Sequence, residues 1–204
     1  MAVLVAPTKS NLIKAKSSLE LSKKGFELLD KKRNILIKEI MSYVDKARTM
    51  HNEIYDVLKE AYESIQEANI TLGVKTVEDM SYSVPVNEQY DIILKSVMGV
   101  DIPSIKYIED DGYTPTYGFY RTNDALDKAR QKFNEVKYKI YEITELESSI
   151  FKLAKEIEKV KKRTNALEHV QIPKFEAQVK YIQNVLEEKE REDFFRLKRL
   201  KNKK

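Results

Sequence analysis

Apolar residues recur at intervals of three, four or seven through the first third of the chain: Leu12, Leu19, Phe26, Leu29, Leu36, Ile40, Val44, Ala47, Met50, Ile54, Val57, Ala61, Ile65, Ala68 and Leu72. Such intervals line one face of an α-helix, and sustained over this many turns they predict a coiled-coil seam. Thr8 or Ser10, just after Pro7, supplies a capping hydroxyl for the start, and Gly73 is a natural stop. A helix of roughly 65 residues would run about 100 Å at 1.5 Å per residue. Gly25 lies inside it, at an expected cost of up to ~1 kcal/mol against Ala.

A second seam begins after Asn123 and Asp124: Leu126, Ala129, Phe133, Val136, Ile140, Ile143, Leu146, Ile150, Leu153, Ile157, Val160, Thr164 and Leu167. Pro173 follows, although an internal proline costs a helix roughly 3 kcal/mol. Phe175, Val179, Ile182, Leu186, Leu197 and Leu200 continue a looser stripe, which reads as the same helix bent or offset at the proline. Because the chain must turn between the seams, they are expected to pair antiparallel, with both termini at one end.

The segment between them changes character. Tyr90–Val97 is rich in β-branched residues, Met98–Asp101 carries a turn glycine, and Ile105–Ile108 alternates again, which predicts a short β-hairpin. Two strands alone are marginal in water, so this hairpin must lean on the helices or on another chain. Glu109–Gly112 reads as a solvated turn. The predicted fold class is mainly α: a long antiparallel two-helix left-handed coiled coil with a short β-hairpin and small helical elements between the helices. Three regions follow: residues 1–73, a middle segment 74–121 with the hairpin at about 90–108, and residues 122–204 with a basic end.

Composition narrows the chemistry. With 5 Gly and 5 Pro in 204 residues there is little material for the many turns of a sandwich or doubly wound sheet. No cysteine is present, which excludes disulfides and thiolate metal sites. His51 and His169 are far apart in sequence and read as surface or seam-edge residues. None of Gly25, Gly73, Gly99, Gly112 and Gly118 belongs to a phosphate-binding loop, so the chain is not expected to hydrolyse ATP itself. Carboxylates alternate with cations, as in Glu156–Lys162 and Glu187–Arg191, and read as solvated ion-pair faces. No catalytic residue, cofactor or metal is expected.

The formal charge of +4, from 37 basic against 33 acidic residues, is too mild to mark a nucleic-acid binder. In the basic tail Phe194, Phe195, Leu197 and Leu200 interleave with Arg191, Arg196, Lys198, Arg199, Lys201, Lys203 and Lys204, which favours a protein-contacting helix over a phosphate-binding patch. Tyr82, Tyr90, Tyr107, Tyr113, Tyr117 and Tyr120 gather around the middle segment, as a packed base or as a partner-binding face. The apolar Met1–Ala6 lacks a basic flank and is far shorter than the ~20 residues that span a bilayer. A soluble chain is expected, with any membrane role exercised through a partner.

Several sequence words add to this reading: Ala6–Leu12, Lys24–Arg33, Ser96–Pro103, Thr116–Leu126, Arg163–Glu168, Ile172–Pro173 and Leu186–Lys198. In this order and spacing they resemble the D subunit of the rotary V/A-type ATPases. The resemblance implies a central rotor axle, itself non-catalytic, turning inside a hexamer of catalytic A and non-catalytic B subunits. Such an axle would couple proton or sodium flow to ATP synthesis, or ATP hydrolysis to pumping. It also implies docking of the small F subunit of the stalk at the hairpin, through Met98, Gly99, Val100 and Pro103, and a foot on the C/d subunit above the membrane rotor ring. Arg163, Asn165, Pro173, Arg191, Arg196, Lys198 and Arg199 would face the hexamer. The implied location is cytoplasmic and peripheral to the membrane, without nucleic acid. The rival reading is a stand-alone helical-hairpin module such as a prefoldin-like chaperone subunit, which also joins two coiled-coil helices through β-structure.

Overall fold

The structure is a computed structural model that describes residues 6–84, 90–108, 117–120 and 122–201. The opening residues 1–5, the expected turn Glu109–Gly112, Tyr113, Thr116, Arg121, Lys203 and Lys204 lie outside the described residues. In chain order the elements are α1 (Lys9–Leu72), α2 (Val74–Ser81), β1 (Tyr90–Val97), β2 (Val100–Tyr107), α3 (Asp124–Ala166), a π-helical turn (Leu167–Gln171) and α4 (Ile172–Lys201). The chain is thus mostly helical, with two long helical stretches and a small antiparallel hairpin, as the periodicity predicts. It divides into two compact units, Leu36–Glu156 and the pairing of Met1–Ile35 with Ile157–Lys204.

Local chemistry sets the ends of the elements. The Asn11 N–H donates to Thr8 Oγ1 at 3.2 Å, so Thr8 is the cap of α1. Gly73, at φ 84°, ends α1 in a conformation that favours glycine, and its carbonyl accepts from Thr76 and Val77 to start α2. At α3 the Leu126 N–H donates to Asn123 Oδ1 at 3.2 Å, while Asn123 Nδ2 donates to Thr71 Oγ1 at 2.7 Å. One side chain therefore caps the third helix and ties it to the end of the first.

In the unit Leu36–Glu156, α1 and α3 run antiparallel. Side-chain contacts record the order: Lys132–Glu60 at 2.8 Å, Lys139–Glu53 at 3.0 Å and His51–Glu147 at 3.2 Å, the number rising on one helix as it falls on the other. Leu36, Ala47, Ala61, Ala68, Ala129, Val136, Ile143 and Leu153 are buried between them. Where the helices meet α2, Ala68, Val77, Tyr117, Ala125 and Leu126 form a core that Ile65, Leu72 and Met80 surround. Val44 and Ile140, both expected in the seams, are exposed instead. On α3, Tyr138 and Tyr141 turn toward the hairpin while Val136 and Ile143 turn inward, which leaves Ile140 on a third face.

The other unit pairs the start of α1 with α4 and the end of α3. Lys9–Glu190 at 3.1 Å and Lys23–Glu176 at 2.7 Å again run in opposite order, and Ala15, Val160, Thr164 and Ile182 are buried. Helix continues past Pro173, and the adjustment precedes the proline. The Ile172 N–H donates to the Leu167 carbonyl, five residues back, which opens the π-helical turn. In ordinary α-register the proline would lack an N–H for the carbonyl of His169 and its ring would crowd that oxygen; a widened turn relieves both.

Gly25 faces this turn. A Cβ built there would meet Leu167 Cδ1 at 3.8 Å, an ordinary contact, so space does not require glycine. Gly25→Ala is therefore expected to raise stability by roughly 0.5–1 kcal/mol through helix propensity. A denaturant melt checks this, and an unchanged or lower midpoint would mean the backbone at Gly25 is not simply helical.

Candidate partner interfaces

The hairpin is built by its turn and held by tyrosines. Val97 pairs with Val100 across the two-residue loop Met98–Gly99, whose φ values of 53° and 77° are both positive. That combination is the type I′ turn, whose twist suits a hairpin. Gly99 adopts it freely, whereas Met98 does so against its side chain. Pro103 sits inside β2 without costing a ladder bond. The Ile105 N–H points away from β1 and donates to Glu145 Oε2 at 2.7 Å, and the alternation aims position 103 the same way.

Below the strands, Tyr107 stacks on Tyr138 at 5.0 Å between ring centroids, Tyr90 and Tyr107 approach Tyr141 at 5.6 Å and 5.5 Å, and the Tyr107 hydroxyl donates to Glu142 at 3.4 Å. These tyrosines form a packed base. Nearby, Tyr117 donates to Asp127 at 2.6 Å. Burial first, then that hydrogen bond to a carboxylate, pushes the Tyr117 phenol up to about 12, with the Arg130 guanidinium opposing. Tyr82 and Tyr120 are exposed.

Of the hairpin residues singled out from the sequence, Met98 and Gly99 are exposed, Pro103 is half-buried and Val100 is buried within the chain. Sequence reasoning passed over β1. Every residue from Tyr90 to Ser96 is exposed, including Ile92 at 62% and Leu94 at 60%. The β-branched run predicts the strand but carries no signal of which strand packs.

In the other unit, Arg163 and Asn165 are exposed in the last turn of α3, and Pro173 is exposed at the start of α4. Every side chain from Glu187 to Lys201 is exposed. Arg191 pairs with Glu187 at 3.9 Å, and Arg196 with Glu192 at 3.6 Å and Asp193 at 3.7 Å. Glutamate four residues before arginine is the favourable order, and Lys198, Arg199 and Lys201 complement the helix dipole. Phe194, Phe195, Leu197 and Leu200 lie uncovered among these charges. Four large apolar side chains thus stand exposed on one helix end.

Little here suits catalysis. Among the described residues no group of three or more His, Asp or Glu could hold a metal ion. A groove lined by Lys46, Thr49, Met50, Glu53, Glu142, Glu145 and Leu146 has its carboxylates engaged by Lys139, the Tyr107 hydroxyl and the Ile105 N–H. His51 and His169 lie on the surface, the first beside Glu147 and the second 3.9 Å from Glu168. Among the described residues no helix is long and apolar enough to cross a membrane.

Residues 11–202 match the family described as the D subunit of ATP synthase. The chain belongs to that family. It is 41% identical to the V-type ATP synthase D subunit of Thermotoga neapolitana over 98% of both chains. It is 40% identical to the A-type ATP synthase D subunit of Methanopyrus kandleri, over 97% of this chain and 86% of the relative. With the A-type ATP synthase D subunit of Pyrococcus abyssi the identity is 36%, over 97% and 93%. Members of the family are non-catalytic, and membership supports a central-stalk role in a rotary ATPase.

Proposed function

We propose that this D subunit is the rotor axle of a V/A-type ATP synthase, its long helices forming a left-handed antiparallel coiled coil that turns inside a hexamer of alternating A and B subunits. The uncovered helix end from Glu187 to Lys201 is the observation that carries this reading. An axle bearing must touch its sleeve without sticking to any one position, and exposed charge pairs worth about 0–1 kcal/mol each suit that need. Arg163, Asn165, Pro173, Arg191, Arg196, Lys198 and Arg199 face the ring in this reading. An asymmetric rod presents a different face to each catalytic site, so its rotation biases their nucleotide affinities in turn. Ion flow through a membrane ring, passed on by the C/d subunit, would drive synthesis, and the reverse would drive pumping. The small F subunit of the stalk docks at the hairpin: Met98 and Gly99 meet it, while Val100 and Pro103 hold the tip in shape.

Truncation from Arg191 onward is the test, in a reconstituted complex. Assembly should partly survive, because the buried residues Val160, Thr164 and Ile182 remain, while ATP-driven pumping falls relative to hydrolysis. Single substitutions at Arg191 or Arg196 should barely matter. The reading fails if the truncated chain couples as well as the full one, or if the tail binds duplex DNA with the steep salt dependence of phosphate neutralisation.

A further inference from the structure

We propose that the π-helical turn Leu167–Gln171 arises from one extra residue in the apolar repeat, not from Pro173, and that it acts as a phase corrector for the last helix. The inference does not rest on the stalk role. It begins with spacing. One row of inward positions runs Val160, Leu167, Phe175 and Ile182, and a second runs Ile157, Thr164, Ile172, Val179 and Leu186, all buried or half-buried. Each row advances by seven residues at every step but one. The exception is a step of eight, Leu167 to Phe175 in the first row and Thr164 to Ile172 in the second, and both steps cross the π-helical turn. On α1 the half-buried Leu12, Leu19 and Phe26 keep steps of seven. Only one of the two partners therefore carries the extra residue.

The helix is seated on α1 on both sides of that residue. Before it, Leu167 Cδ1 lies 3.8 Å from a Cβ built at Gly25; after it, Glu176 pairs with Lys23 at 2.7 Å. In an unbroken α-helix one added residue would turn everything downstream by about 100°. Lys174 and Tyr181 would then take the inward places of Phe175 and Ile182. Instead Lys174 is exposed, Tyr181 is 44% exposed and Ile182 is 1% exposed. The bond from the Ile172 N–H to the Leu167 carbonyl, five residues back, closes a wider ring that takes up the surplus without displacing either seat. Val170 is left on the outside of the turn, exposed. Pro173 occupies a widened turn that the repeat already demands. Beyond Leu186 the exposed tail inherits the corrected phase, so the turn also sets the side on which Arg191, Arg196, Lys198 and Arg199 stand.

Three full-length variants test this: Pro173→Ala, deletion of Val170, and the two combined. A crystal structure of Pro173→Ala should keep the π-helical turn and keep Ile182 inward. Deletion of Val170 alone restores steps of seven but forces the proline into α-register, and should lower the urea midpoint by about 1 M. The same deletion made together with Pro173→Ala should raise the midpoint above that of Pro173→Ala alone, because nothing then interrupts the helix or its seam. This reversal of sign is what a phase corrector requires. An unbroken α-helix through Leu167–Gln171 in Pro173→Ala, with Lys174 and Tyr181 turned inward, overturns the proposal, and so does a deletion that lowers the midpoint in both backgrounds.

Discussion

Leu36→Asp is expected to lower the stability of the helical fold by roughly 4 kcal/mol, through two losses. Leu36 is 0% exposed. Truncating a leucine buried to that degree costs about 2–5 kcal/mol from lost transfer energy and the cavity left behind. An aspartate in its place adds an ionisable group without a partner, which must shed its charge or admit water. Leu21→Asp is the matched control, since Leu21 lies on the same helix but is 74% exposed and should change stability by no more than about 0.5 kcal/mol. Urea unfolding followed by far-ultraviolet circular dichroism separates the two. Equal midpoints would mean that the buried seam does not hold the helices.

The same contrast marks what the sequence can disclose. Leu21 and Leu36 are chemically identical; only the repeat of apolar neighbours at three and four residues distinguishes the inward position. That repeat, with Thr8, Gly73 and Asn123 as punctuation, is enough to read the two long helices and their ends. It misleads where a helix acquires a third face. Ile140 continues the stripe by spacing, yet the hairpin tyrosines recruit Tyr138 and Tyr141, and Ile140 is left to solvent. Pro103 misleads in the other direction. The second strand is legible only as Ile105–Ile108, because a proline argues against a strand until one knows which way its missing N–H would have pointed. Observed β2 begins at Val100 and the turn shrinks to Met98–Gly99. Pro173 announces a disturbance in the last helix, but relief takes place upstream at Leu167–Gln171, since the clash involves the carbonyl four residues earlier. Of the candidate interface, the charged and aromatic tail is readable from composition. The open edge of β1 is not, because exposure depends on which strand the tyrosine base supports.

Removing residues 90–108 and closing the gap with a short glycine-serine linker should cut affinity for the small F subunit by at least about a hundredfold, near 2.7 kcal/mol. The argument starts from the packing of β2, whose Val100, Ile102 and Ser104 are buried while β1 stays exposed. One strand thus anchors the hairpin and leaves the Met98–Gly99 tip exposed. An isolated pair of strands is marginally stable, so the hairpin does not survive apart from the α3 tyrosines and Glu145. The long helices should tolerate the deletion, because their buried residues lie outside it and Asn123 still caps α3. A milder change, Glu145→Ala, removes the acceptor of the Ile105 N–H and should loosen the hairpin and weaken binding less than the deletion does. Titration calorimetry of each variant with the small stalk protein measures the loss, and circular dichroism confirms that helix content is kept. Undiminished binding after deletion would move the docking surface off the hairpin and onto the long helices themselves.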